Sequence, residues 1–138
     1  MPLLAWRSCL ETGFPEMDTQ HKAIVAVFNQ IHFALMGSET SEEDLVQHLL
    51  DLVQAHFRWE DELMERIGFP GAARHKAGHT AKLAELDAHV LGFRAGLETS
   101  LREWIEGLHG WFLIQILEED QPLADFVQTT CHRDEPSP

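Results

Sequence analysis

The chain has 138 residues, 44% of them hydrophobic, which is enough to bury one core and too apolar for a disordered chain. Ten basic residues against 23 acidic ones leave a formal charge of −13, which argues against nucleic acid or an anionic membrane surface as partner, because both require a basic face. No segment reaches the roughly 18 consecutive apolar residues of a bilayer span, and the first ten residues lack the pattern of a secretory signal, so a soluble, cytoplasmic protein is expected.

Residues 1–16, with Gly13 and Pro15, read as an extended N-terminal arm anchored by Trp6. A first helix is expected over 17–36, with Ile24, Val27, Phe28, Ile31 and Leu35 at helical spacing and Gly37-Ser38 ending it. A second over 41–67 opens on a Ser/Thr-x-x-acid signal, Thr40 with Glu43 or Ser41 with Asp44. It carries Leu45, Leu49, Leu52, Val53, Phe57 and Met64 and stops at Gly68-Phe69-Pro70. A third over 72–92 carries Leu83, Leu86, Val90 and Leu91.

The fourth, over 100–128, starts near Thr99-Ser100 and carries Leu101, Trp104, Leu108, Trp111, Phe112 and Ile116. Pro122 should bend it or end a first portion. Residues 130–138 read as a frayed tail. Four helices of similar length with short connections make a single all-α domain over 1–138, an antiparallel up-down four-helix bundle. Cys9 and Cys131, at opposite ends and without CxxC spacing, read as reduced thiols.

Nine histidines invite a search for ligand spacing. Bundles of this kind build metal sites from inward-facing side chains on several helices. His56 and Glu60 lie one turn apart on the second helix, as do His75 and His79 on the third, so each pair points to one side. Asp44/His48 and Glu85/His89 share that spacing and read as ion pairs on solvated faces, so neither pair identifies a site alone.

The pieces carry more as an ordered set. Trp6, then Asp18-Thr19-Gln20-His21 with Ile24 and Asn29, are followed by His56-Phe57-Arg58-Trp59-Glu60-Asp61, Met64 and Phe69-Pro70. His75-x3-His79 and Trp111-Phe112 with Ile116, Asp120, Leu123 and Phe126 complete them. In that order they resemble the hemerythrin family, especially its single-domain bacterial members, over nearly the whole chain. The resemblance implies a bundle enclosing two non-haem irons joined by an oxo or hydroxo bridge, with O2 as ligand. It implies that His21 and His56 hold the iron with an open position, that His75 and His79 hold the second, and that Glu60 and Asp120 bridge them. Trp111 and Ile116, with Ile24 opposite, would wall the oxygen pocket, while Phe112 reads rather as core. His32, His48, His89, His109 and His132 read as non-ligands.

One position departs from the pattern. The family places a third histidine of the second iron five residues before the bridging aspartate, and here that residue is Gln115. Three arrangements are open: the amide oxygen binds metal, water or Glu119 takes its place, or the site is lost and the bundle is structural. Residues 115 and 120 differ by about 140° around a regular α-helix, so a shared centre requires a π-bulge between them.

The functional expectation is an oxygen-binding protein for storage, delivery or sensing rather than an enzyme. The alternative is peroxidase- or oxidase-like redox activity arising from the altered second site. A ferritin-like oxidase needs Glu-x-x-His on two helices, and the motif occurs once, at Glu106 to His109. A metal-free interaction module is the third class.

Overall fold

In the computed structural model the residues described are Trp6, 8–35, 42–95, Phe112 and 114–134. They form a 3-10 turn at Ser8–Leu10, helices α1 (Pro15–Leu35), α2 (Glu42–Ile67) and α3 (Ala72–Arg94), a π-helical segment at Gln115–Asp120, and α4 (Gln121–Asp134) continuous with it. Among the described residues there is no strand. The expected start signals at Thr40, Ser41 and Thr99-Ser100, and the residues Leu101, Trp104, Glu106, Leu108, His109 and Trp111, lie outside the described residues.

Two apolar layers hold the bundle together, and the order in which each helix crosses them gives the topology. α1 runs from Met17 in the smaller layer to Ile24, Phe28 and Ile31 in the larger one. α2 returns from Val46, Leu49, Val53 and Phe57 to Leu63 and Met64, and α3 goes back from Ala72 to Leu86 and Val90. The last stretch descends from Phe112 and Ile116 to Leu123, Ala124 and Val127. The result is the expected up-down-up-down four-helix bundle. Leu91 departs from expectation at 66% exposed, because it sits about 100° around the helix from buried Val90.

Between the layers every helix contributes buried polar side chains: His21 from α1, His56 and Glu60 from α2, His75 and His79 from α3, and Gln115 and Asp120 from the π-helical segment. Dry burial of so many ionisable groups is unfavourable unless they are paired or coordinate a metal.

The α2–α3 reversal brings two of these pairs face to face. Gly68 takes the left-handed conformation (φ 65°), and the Phe69 N–H donates to the Met64 carbonyl at 3.1 Å, a Schellman closure. The His75 N–H bonds the Gly71 carbonyl at 3.0 Å and starts α3. The Phe57 ring then stacks on His79 with centroids 4.0 Å apart.

The arm is more structured than an extended segment, and α1 begins at Pro15 rather than 17, proline being well suited to a first helical position. Asp18 captures the arm: the Thr12 N–H and hydroxyl both donate to its Oδ1 at 2.8 Å, and the Gly13 N–H donates to Oδ2 at 3.2 Å. Trp6 packs against the larger apolar layer, donates to Glu11 at 2.8 Å, and lies under the Lys22 ammonium. At the other end α4 continues through Pro122 to Asp134. The Gln121 N–H bonds the Ile116 carbonyl five residues back, so the wider π turn accommodates the residue that cannot donate.

Candidate metal centre

Glu60 and Asp120 stand at the middle of the polar layer. Glu60 Oε2 lies 2.8 Å from His56 Nε2 and 3.5 Å from His79 Nε2, while its Oε1 lies 3.3 Å from His75 Nε2. Asp120 Oδ2 is 2.8 Å from His21 Nε2 and 3.7 Å from His56 Nε2, and its Oδ1 is 3.6 Å from His75 Nε2. Each carboxylate therefore reaches imidazoles on both sides. The side chains fall into two overlapping groups that share Asp120, one with Glu60, His75 and His79 and the other with His21 and His56. Within each group, ligand-type atoms lie within 4.8 Å of one another.

These residues fit metal. Among the described residues, buried His21 Nδ1, His56 Nε2, Glu60 Oε2 and His79 Nε2 make no hydrogen bond of acceptable geometry, the 2.8 Å approach of His56 Nε2 to Glu60 Oε2 included. Three of the four point into the shared centre. Buried polar atoms are rarely left unpaired, and a cation is the partner that imidazole nitrogens and carboxylate oxygens have in common.

Charge follows the same geometry. Burial opposes protonation of His56, but the Glu60 and Asp120 carboxylates outweigh it and push the imidazole up to about 9. Burial likewise opposes protonation of His75, yet Glu60 and Asp120 raise it. His79 is lowered, burial prevailing over its carboxylate neighbours. Asp120 is buried, yet its hydrogen bond with His21 and the nearby His56 imidazole hold it far below the usual carboxylate range.

Two outer residues aim the imidazoles. His56 Nδ1 lies 2.7 Å from Gln20 Oε1, and His79 Nδ1 lies 2.9 Å from Asp61 Oδ1. With Nδ1–H donating outward, each ring turns Nε2 inward as a lone-pair donor. Neither residue carried a role in the sequence reading. Their signal was adjacency, Gln20 preceding His21 and Asp61 following Glu60 within the motifs quoted above.

Gln115 is buried in the same layer, and the π-helical segment aligns it with Asp120 as the five-residue spacing required. Its amide nitrogen donates to Asp120 Oδ1 at 3.1 Å, and its oxygen accepts from Lys82 Nζ. Reversing the amide would set oxygen against carboxylate and N–H against ammonium, so both partners favour this orientation. Glu119 is half-buried beside the site and does not join either group of converging ligand atoms. Lys82, 33 residues away in sequence, could not be read as the partner of Gln115 from local pattern.

Ile24 and Ile116 are fully buried in the larger apolar layer with Phe112, whose ring meets His21 edge-on at 5.9 Å. Trp111 lies outside the described residues. His32 is half-buried and His48 and His89 are exposed, all outside the two ligand groups. Among the described residues, no helix is long and apolar enough to cross a membrane.

Known proteins are similar to this chain over most of its length. The hemerythrin HHE cation binding domain matches residues 12–127. The chain is 32% identical over 129 residues to a bacteriohemerythrin of Stenotrophomonas maltophilia strain R551-3, covering 93% of this chain and 84% of that one. It is 30% identical over 130 residues to a bacteriohemerythrin of Pseudomonas aeruginosa strain LESB58, with the same coverages. A bacteriohemerythrin of Methylococcus capsulatus strain Bath is 32% identical over 123 residues, 88% of this chain and 94% of the relative.

Proposed function

This chain belongs to the hemerythrin family, and from that premise we propose that it is a cytoplasmic oxygen-binding protein. His21, His56, Glu60, His75, His79 and Asp120 would hold two non-haem irons joined by an oxo or hydroxo bridge. The observation that carries this reading is the buried layer of converging imidazoles and carboxylates, in which His56 Nε2, Glu60 Oε2 and His79 Nε2 have no hydrogen-bond partner among the described residues. When bound, an iron pair supplies the electrons and the coordination position that O2 binding requires.

The chain's own residues divide the remaining work. Glu60 and Asp120 each offer two oxygens to opposite sides, which suits a bridging role. Gln20 and Asp61 fix the tautomers of His56 and His79. Phe112, Ile24 and Ile116 exclude water on the His21 side, where a dry wall keeps solvent protons from a bound gas and so favours its release unchanged. Storage, delivery and sensing all use such binding.

The test is to reconstitute the protein with iron anaerobically, admit air and record visible absorption. Oxygen-dependent charge-transfer bands that vanish under vacuum are expected, whereas bands that persist would contradict reversible binding. Gln115 favours a second reading, peroxidase-like turnover, because its amide oxygen engages Lys82 rather than the centre. A Gln115→His variant that consumes peroxide as fast as wild type would reject it.

A further inference from the structure

One cavity approaches the metal centre from outside. It has a volume of about 240 Å³ and lies between α3 and the π-helical segment. Buried His75, His79 and Gln115 form its floor, and the more exposed Arg74, Lys82 and Glu119 form its rim. Arg74, Gly78 and Lys82 recur every fourth residue and make one stripe along α3. The glycine at the centre of that stripe leaves the floor uncovered, since a Cβ there would meet nothing within 4 Å. The rim carries two cations, Arg74 and Lys82, against one carboxylate, Glu119, in a chain of formal charge −13.

Resting on the two-iron reading, we propose that this cleft admits a small singly charged anion to the His75–His79 side. Lys82 and Arg74 are its counter-charges, and Gln115 is the side chain it displaces. An amide is a weaker metal donor than imidazole, and the Gln115 oxygen is already engaged by Lys82. An arriving anion offers Lys82 a full negative charge where Gln115 offers an amide dipole, and a charge-assisted hydrogen bond is the stronger of the two. The cavity suits ions of a few atoms, such as azide, nitrite or formate.

Azide is the probe. Iron per chain is counted first, and azide is then titrated calorimetrically into iron-loaded wild type, Gly78→Leu, Lys82→Met and Gln115→His. Wild type should bind one azide more per chain than Gly78→Leu, which fills the cleft without altering a side chain on the centre. Gln115→His should likewise lose that azide, and Lys82→Met should weaken it by about tenfold or more. A two-iron wild type whose azide count and affinity match those of Gly78→Leu and Lys82→Met would overturn the proposal and leave the two-iron reading standing. Fewer than two irons in wild type would overturn both.

Discussion

The amide nitrogen of Gln115 lies 3.1 Å from Oδ1 of Asp120, five residues further along, because the helix between them is wound as a π-helix. In a regular α-helix the two side chains would diverge by about 140°. The resemblance implies a histidine at this position, and the π-helical winding brings the Gln115 amide to the Asp120 carboxylate instead. Gln115→His should place an imidazole against the same centre and raise iron retention by about tenfold or more. Competition with a chelator measures this, and equal retention in the two proteins would show that position 115 does not face the metal.

The charge state of His56 makes the metal-free protein depend on pH in a defined direction. Its carboxylate neighbours outweigh burial and hold it protonated up to about pH 9, above the ordinary 6.5. A raised value stabilises the fold fully below pH 6.5, and the contribution is lost as pH rises through 9. The loss amounts to about 3 kcal/mol. Urea unfolding of the metal-free protein at pH 6.5 and 9.5 should show it. Iron binding needs the imidazole deprotonated, so affinity for iron should move the opposite way and weaken as pH falls.

Gln20 and Asp61 touch no metal position, yet each receives the outer nitrogen of a histidine. Gln20→Ala or Asp61→Ala should lower metal affinity by roughly 10- to 100-fold. Asp61→Asn keeps an acceptor for His79 and should lose less. Metal titration of the three variants checks the order.

Asp18 ties the arm to α1 by accepting from the Thr12 N–H, the Thr12 hydroxyl and the Gly13 N–H. Asp18→Ala strands buried donors on Thr12 and should destabilise the fold by about 3 kcal/mol, read from chemical unfolding. A change under about 1 kcal/mol would mean that the arm detaches freely.

Much of this was legible in sequence, for physical reasons that differ by element. Ile24, Phe28, Leu49, Phe57 and Leu86 repeat at helical spacing because one face of each helix must be buried, so periodicity located the bundle. The pairs His56/Glu60 and His75/His79 were visible because a turn of helix aligns them, and the π turn followed from the spacing of residues 115 and 120. Lys82 was not legible, since its meeting with Gln115 depends on how α3 packs against the last helical stretch. Pro122 was expected to bend the helix or end a first portion, and the π-helical portion does end at Asp120, just before it. The wider π turn before Pro122 accommodates its missing N–H, and α4 continues to Asp134, beyond the expected end at 128.

The most direct test of the centre is iron per chain after anaerobic reconstitution and removal of loose metal, in wild type and Asp120→Asn. Asp120 belongs to both ligand groups, so its loss should impair both metal positions together. Two irons in wild type, falling towards none in the variant, are expected. One iron or none in wild type would contradict a two-metal centre and show that the chain with Gln115 does not sustain the second position.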